Sequence, residues 1–505
     1  MPVLAGWLTG EQVSPQIIEQ TLTAMEQVLG QHGGQPARIV QPGMGLISFS
    51  DPAYSMQNND EPPVLDWVPD RRTFVYRRPL SGAHVLYYIE DWPAKGNLLF
   101  ASEIKALLTL GVARELRLAA VDALLHFGFI PAPWTMFKSI FVVPAGSILR
   151  WQHAKTVVNH ATDFHFDTSS DTHPQRSQED IIEYFKTLLV ENTIALLPPH
   201  EQLIALTDGN PISFLPAFIA SQQSKTPVTL ASFGYKNDRS KAWRGIQRLA
   251  EVCQRPLLTV SGVDAPEFWL ATLAALEAPC VDTRPLAQHQ LLHAVATETG
   301  ARVALTGLGA SALFGQHIIA PIETPSIFSR ETQHKIQEEE RWEDSLHARK
   351  LHRRADQFSS ERQKQYYLDL HLSMPDRVVS MTHQLAMQEG IVIRLPYLRS
   401  EVMNMLLRQE NEMDREILLS SLITRHFPLL KSVQAQRQLE IPVQSLLHIH
   451  DSPLLQQTLS QEALQTTGIF NLESVVDLLK QKSVTRELIL VFTTQLFCRL
   501  FGVEM

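Results

Sequence analysis

The chain has 505 residues, 44% of them hydrophobic and 19% charged, enough for two to four units of about 100–200 residues, each with its own core. That balance excludes whole-chain disorder, collagen-like repeats and a coiled coil. Lys plus Arg number 44 against 53 Asp plus Glu, a net charge of −9, which argues against a nucleic-acid binder that works by bulk positive charge.

The first 150 residues read as mostly β. Val3 to Leu8 predicts a short strand. Pro15 to Leu29 has helical spacing in Ile17, Ile18, Leu22, Met25 and Leu29, with Gly30 placed to end the helix. Arg72–Arg77 and His84–Ile89 predict two strands with Ser81-Gly82 in the turn between them. Val142–Trp151 carries a Pro-Ala-Gly turn and a further strand. Residues 163–178, DFHFDTSSDTHPQRSQ, are polar and contain a proline, so they read as a linker. Asp163, His165 and Asp167 would share a face if extended, but a solvated linker is the simpler reading.

Beyond the linker the pattern changes. Helices are predicted at Glu179–Leu197, after the Asp208-Gly209 turn, at Arg239–Cys253 and at His289–Glu298. Strands are predicted at Gln202–Leu206, Pro227–Phe233, Leu257–Val260 and Arg302–Thr306. This alternation predicts a parallel sheet covered on both faces. From Glu331 onward the chain reads as nearly all helical. The domains are placed at 1–165 and 179–505, joined by a linker at 166–178. Cys253, Cys280 and Cys498 form no C-x-x-C pair, which excludes a cysteine zinc cluster or a disulfide scaffold. No apolar run reaches the roughly 18–20 residues of a membrane span, and the start MPVLAGWLTGEQ has no leader pattern. A cytoplasmic protein with no membrane or nucleic-acid partner is expected.

FASEIKALL (100–108) and HFGFIPAPWTMFKSIFVVPAG (126–146) resemble the asparagine synthetase family, whose relatives include β-lactam synthetases and lasso-peptide cyclases. YRRPLSGAHVLYY (76–88), LTDGNPIS (206–213), ALTGLGASALFG (304–315) and IRLPYLRS (393–400) follow in the family's order. The resemblance implies an N-terminal Ntn-type αββα sandwich of the glutamine amidotransferase kind. After it should come an α/β parallel-sheet, ATP-pyrophosphatase-like domain with a helical C-terminal part.

The chemical positions depart from that family. Its nucleophilic cysteine falls at Pro2, which has no side-chain nucleophile. Its N-G-E string is absent from residues 1–100, and Asn58 to Glu61 is a poor substitute. Arg78 stands where its R-D-x-x-G turn has an acid. Its phosphate loop aligns with Thr207, Asp208, Gly209, Asn210, Pro211, Ile212 and Ser213. There Asp208 would repel phosphate and Pro211 lacks an N–H. One such repulsion at ~4 Å is worth about 4 kcal/mol, a large part of a micromolar affinity. The second motif keeps Gly307 and Gly309, but Leu308, Ser311 and Ala312 replace three acids that would hold Mg²⁺. Glu277 and Asp282 are the nearest remaining acids and read as ordinary surface charge.

Arg394 is the retained cleft candidate, while the flanking acids have become Val392 and Arg399. The family's D-R-x-S-M-A string aligns with His383 to Gln388, and its catalytic lysine falls at Gln436, beside Arg437. His448, His450 and Asp451 read as a surface turn. The resulting expectation is a catalytically silent pseudoenzyme with no catalytic residue, metal or cofactor. It would work as a partner, scaffold or binding protein, for example beside an active synthetase or another biosynthetic enzyme. The alternative is an ATP-dependent amide-forming ligase with remodelled sites that uses Mg-ATP and no glutamine. A glutamine-hydrolysing synthetase is the third reading, and Pro2 argues against it.

Overall fold

A computed structural model describes residues 3–11, 13–32, 34–50, 64–161, 177–234, 241–262, 266–315, 327–358, 360–408, 415–432, 452–481 and 484–504. The first half contains β1 (Val3–Leu8), α1 (Pro15–Leu29), β2 (Gln35–Gln41), β3 (Met44–Ser50), β4 (Val64–Val68), β5 (Thr73–Arg77) and β6 (Tyr87–Glu90). It continues with β7 (Leu98–Ala101), α2 (Ile104–Leu108), α3 (Leu118–Phe127), β8 (Phe141–Val142), β9 (Ser147–Gln152) and β10 (Lys155–His160). These strands form two antiparallel sheets, ordered β2-β3-β1-β7-β6-β8 and β10-β9-β5-β4. Leu4, Leu8, Phe74, Phe100 and Trp151 fill the space between them. Helix α1 starts on a Ser14 cap, carries proline in its first turn, and turns Ile18, Leu22, Met25 and Leu29 into the core.

The strand predicted at His84–Ile89 forms at Tyr87–Glu90, in a different sheet from β5. The Ser81-Gly82 turn therefore carries the chain from one sheet to the other and does not close a hairpin. Tyr76 in β5 still reaches across, its hydroxyl donating to the His84 carbonyl at 2.5 Å.

The second half opens with α4 (Gln178–Ala195), whose Ser177 cap and Asp180 form a reciprocal capping box. Next come β11 (Leu203–Leu206), α5 (Pro211–Gln223), β12 (Val228–Gly234), α6 (Lys241–Cys253), β13 (Leu257–Ser261), α7 (Pro266–Leu276), α8 (Arg284–Ala294), β14 (Val303–Thr306) and α9 (Ala310–Leu313). The sheet is parallel in the order β13-β12-β11-β14-β15. Its last member, β15 (Val392–Arg394), lies inside the stretch expected to be nearly all helical. Three residues are too few for a period to show.

One apolar core runs through both halves. It joins Trp7, Leu107 and Leu124 to Trp269, Phe492 and Phe497. No helix among the described residues is long and apolar enough to cross a membrane.

Candidate functional site

The order of the parallel sheet reverses between β11 and β14, and their C-terminal ends, Leu206 and Thr306, are paired. In open α/β sheets ligands bind in the crevice outside such a switch point. A cavity of about 400 Å³ opens there and extends toward the first half. Thr207, Asp208 and Ser213 line it from one loop, and Gly307, Gly309 and Ser311 from the other. The loops touch: a Cβ on Gly307 would stand 2.1 Å from the Ser213 carbonyl oxygen, so only glycine fits.

Three backbone donors of the first loop are already bonded. Gly209 N–H donates to Thr207 Oγ1 at 3.2 Å, Asn210 N–H to Asp208 Oδ1 at 2.9 Å, and Ile212 N–H to Asn210 Oδ1 at 3.1 Å. Pro211 between them has no N–H. Asn210 thereby caps α5 itself, taking the place an anion would occupy at a helix N-terminus. Further bonds fix the loop: Ser232 Oγ donates to the Thr207 carbonyl at 2.8 Å, and Tyr397 OH to the Ile212 carbonyl at 2.8 Å. Burial raises the Asp208 carboxyl above its ordinary value, while its bond from Asn210 N–H pulls the other way.

Four carboxylates line the cavity, and each is engaged. Asp208 takes the Asn210 N–H. Glu277 is 2% exposed and accepts from Ile104 N–H at 2.8 Å and Lys105 N–H at 2.7 Å, capping α2 of the other half. The expectation of surface charge at Glu277 is thus corrected: the residue is a buried interdomain cap. Burial pushes its carboxyl up to about 8, against the downward pull of Lys105 and the two N–H bonds. Asp282 binds Arg284, with Nε at 3.0 Å and Nη2 also in contact. Burial raises its carboxyl, but Arg284 and Arg377 outweigh that and hold it below the usual range. Asp376 accepts from Ala132 N–H at 3.0 Å and lies 3.7 Å from Arg78 Nη1. Among the described residues no group of three or more His, Cys, Asp or Glu is arranged to hold a metal ion. The groups that the family resemblance implies for Mg-ATP are thus engaged with the protein: three loop N–H groups are bonded within the loop, and each of the four carboxylates accepts from or faces a protein donor.

Arg394 is buried in β15 and is not among the cavity-lining residues. Gly209 and Pro211 lie behind the lining, although their loop neighbours reach it. Pro2, Asn58 to Glu61, Asp163, His165, Asp167, Gln436, Arg437, His448, His450 and Asp451 lie outside the described residues. Sequence reasoning saw Arg78 only as a lost acid. The structure places its guanidinium, 1% exposed, between the halves, donating to the Val143 carbonyl at 2.7 Å, the Gly82 carbonyl at 2.6 Å and Ser380 Oγ at 2.6 Å. Gln384 bridges the same boundary, its Nε2 donating to Tyr87 OH at 2.8 Å and the Leu276 carbonyl at 3.3 Å. Nothing local in the sequence marked either contact.

A family model described as asparagine synthase matches residues 215–498, more than half of the chain. A second, for a glutamine amidotransferase domain, matches residues 66–162. No curated protein matches the chain.

Proposed function

The chain belongs to the asparagine synthase family, and from that premise we propose that it is a member without turnover, hydrolysing no glutamine and adenylating no carboxylate. It acts as a binding or scaffold protein, with a protein partner such as an active synthetase or another biosynthetic enzyme. The observation that carries this reading is the self-bonded phosphate-type loop, whose 209, 210 and 212 N–H groups meet Thr207, Asp208 and Asn210 side chains. Releasing them for phosphate means breaking three hydrogen bonds and seating phosphate oxygens beside a carboxylate, each an opposing contribution of about 1 kcal/mol or more. Support also comes from the carboxylates of the cavity, which hold backbone or guanidinium donors where a metal-dependent adenylation needs open oxygen ligands.

A second reading, an ATP-dependent amide ligase fed by ammonia or an amine, is favoured by one observation: the cavity at the switch point is retained. Titration of Mg-ATP into the purified chain decides between them. The silent reading expects affinity near the millimolar end, roughly −4 kcal/mol. A micromolar one-site isotherm lost in Gly209→Val overturns it, as does pyrophosphate release with a carboxylate and ammonia. Glutamine incubated with the chain should release no ammonia above a buffer blank.

A further inference from the structure

The cavity has a cationic end that neither nucleotide nor glutamine chemistry explains. Its wall there includes Asp282 and Arg284 at the start of α8, and Arg377. Arg377 lies on a wide-turn (π-type) helix, Asp369–Val379, interrupted by Pro375. Such widened turns are common at functional sites. The nearest carboxylate oxygen to Arg377 is Asp282 Oδ2, at 3.9 Å, and that oxygen is already bonded to Arg284. A third guanidinium arrives from the C-terminal helix, Arg486–Phe501, and lies beside Gly128, outside the lining itself. A Cβ placed on Gly128, itself in the lining, would be 2.8 Å from Arg486 Nη2 and 3.9 Å from Arg377 Cζ. The guanidinium groups of Arg377 and Arg486 make no hydrogen bond among the described residues, so three cations converge around a single paired carboxylate.

The other acids nearby do not balance this excess. Asp369, near Arg377, is raised to about 7 by burial, so it carries only part of a charge at neutral pH. Glu487 follows Arg486 in the first turn of the C-terminal helix, is half-buried, and raises Arg486 less than burial lowers it. Burial and the charge of Arg284, with Arg486 adding to it, depress Arg377 to about 10 despite Asp282. The cavity wall also carries the apolar side chains of Leu124, Ile130, Met136, Val142, Leu276 and Met381. Ligand pockets combine an apolar wall with a few placed polar groups, and guanidinium forks match oxyanions in geometry and charge.

We infer that this cavity binds a small molecule with an apolar body and a single oxyanion head, carboxylate or phosphate, the head seated on Arg377 with Arg486, beside Gly128, adding to the positive charge there. The phosphate-type loop lines the same cavity, but the arginines come from other segments, so the anion preference they set is read independently of Mg-ATP binding.

Calorimetry with decanoate, decyl phosphate and decanol tests it on the whole chain. One of the two anions should bind at one site at least tenfold more tightly than decanol, and the better anion identifies the head. Arg377→Met and Arg486→Met together should remove that preference tenfold or more, while an unchanged thermal melt shows that the fold is intact. If the double variant fails to fold, Arg486→Met alone and salt titration of the wild-type anion preference serve in its place, because a preference set by the arginines weakens with salt. Equal binding of decanol and both anions, wild-type anion binding in the variants, or no anion binding overturns the proposal.

Discussion

Arg78 Nη2 donates to Ser380 Oγ at 2.6 Å across 302 residues of sequence, fastening the first half to a helix of the second. The same guanidinium serves two backbone carbonyls and faces Asp376. Arg78→Met should therefore cost about 3–5 kcal/mol, because it strands a buried carboxylate and three acceptors. Arg78→Lys should rescue little, since one ammonium cannot span the fork. Urea unfolding of the three proteins measures this. A loss under about 1 kcal/mol for the methionine variant would show that the clasp is incidental.

Glu277 caps a helix that belongs to the other half. Glu277→Ala leaves the Ile104 and Lys105 N–H groups without their acceptors, a cost of about 1–3 kcal/mol. Hydrogen exchange should locate the damage at α2, with faster exchange at those two amides than in wild type. Unchanged exchange there would refute the capping role.

Asp369 makes stability depend on pH. It is fully buried, neither carboxyl oxygen has a hydrogen bond of good geometry, and burial raises it to about 7, against the pull of Ser373 and Arg377. Between the ordinary Asp value and about 7 the folded chain holds a proton that the unfolded chain has released. The native state binds more protons in that window, so this residue's contribution to stability falls as pH rises through it. Asp369→Asn should match wild type near pH 4 and exceed it above pH 8 by on the order of 1–3 kcal/mol. Denaturant midpoints at the two pH values check the sign. A variant less stable than wild type at pH 8 contradicts it.

Asp208 blocks one donor and adds one charge at the phosphate-type loop. Asp208→Ala frees the Asn210 N–H and removes the repulsion. Mg-ATP affinity should rise about tenfold and stay well short of micromolar, because Pro211 and the bonded carboxylates remain. Calorimetry on the variant reads this directly, and no gain would place the obstacle elsewhere.

Elements with strong local signals were legible in the sequence. Helix α1 carried its cap, its first-turn proline and its apolar spacing within one short string. Both motif loops were placed correctly at strand ends because glycine spacing is local. Elements that depend on partners were not legible. β2, QPARIVQ, is an exposed edge strand held by β3 and shows no buried alternation. α7, PEFWLATLAAL, is apolar nearly all round and offers no helical stripe. At the site, residue identities showed what was missing, but the bonds made by what remained were hidden. No periodic pattern connects Arg284, Arg377 and Arg486, which lie in three segments and meet only when the C-terminal helix docks.

That docking governs how the polypeptide can be cut. The helix Arg486–Phe501 hides Leu488, Phe492, Leu496, Phe497 and Phe501, and the Phe137 ring of the first half packs at a tilt against Phe497, 5.6 Å between centres. A fragment starting at the linker would keep this helix and lose Phe137 and α3, exposing a contiguous apolar face to water. Such faces recruit other chains. The halves are thus not separable modules: a split expressed as two polypeptides should give soluble material only when both are made together.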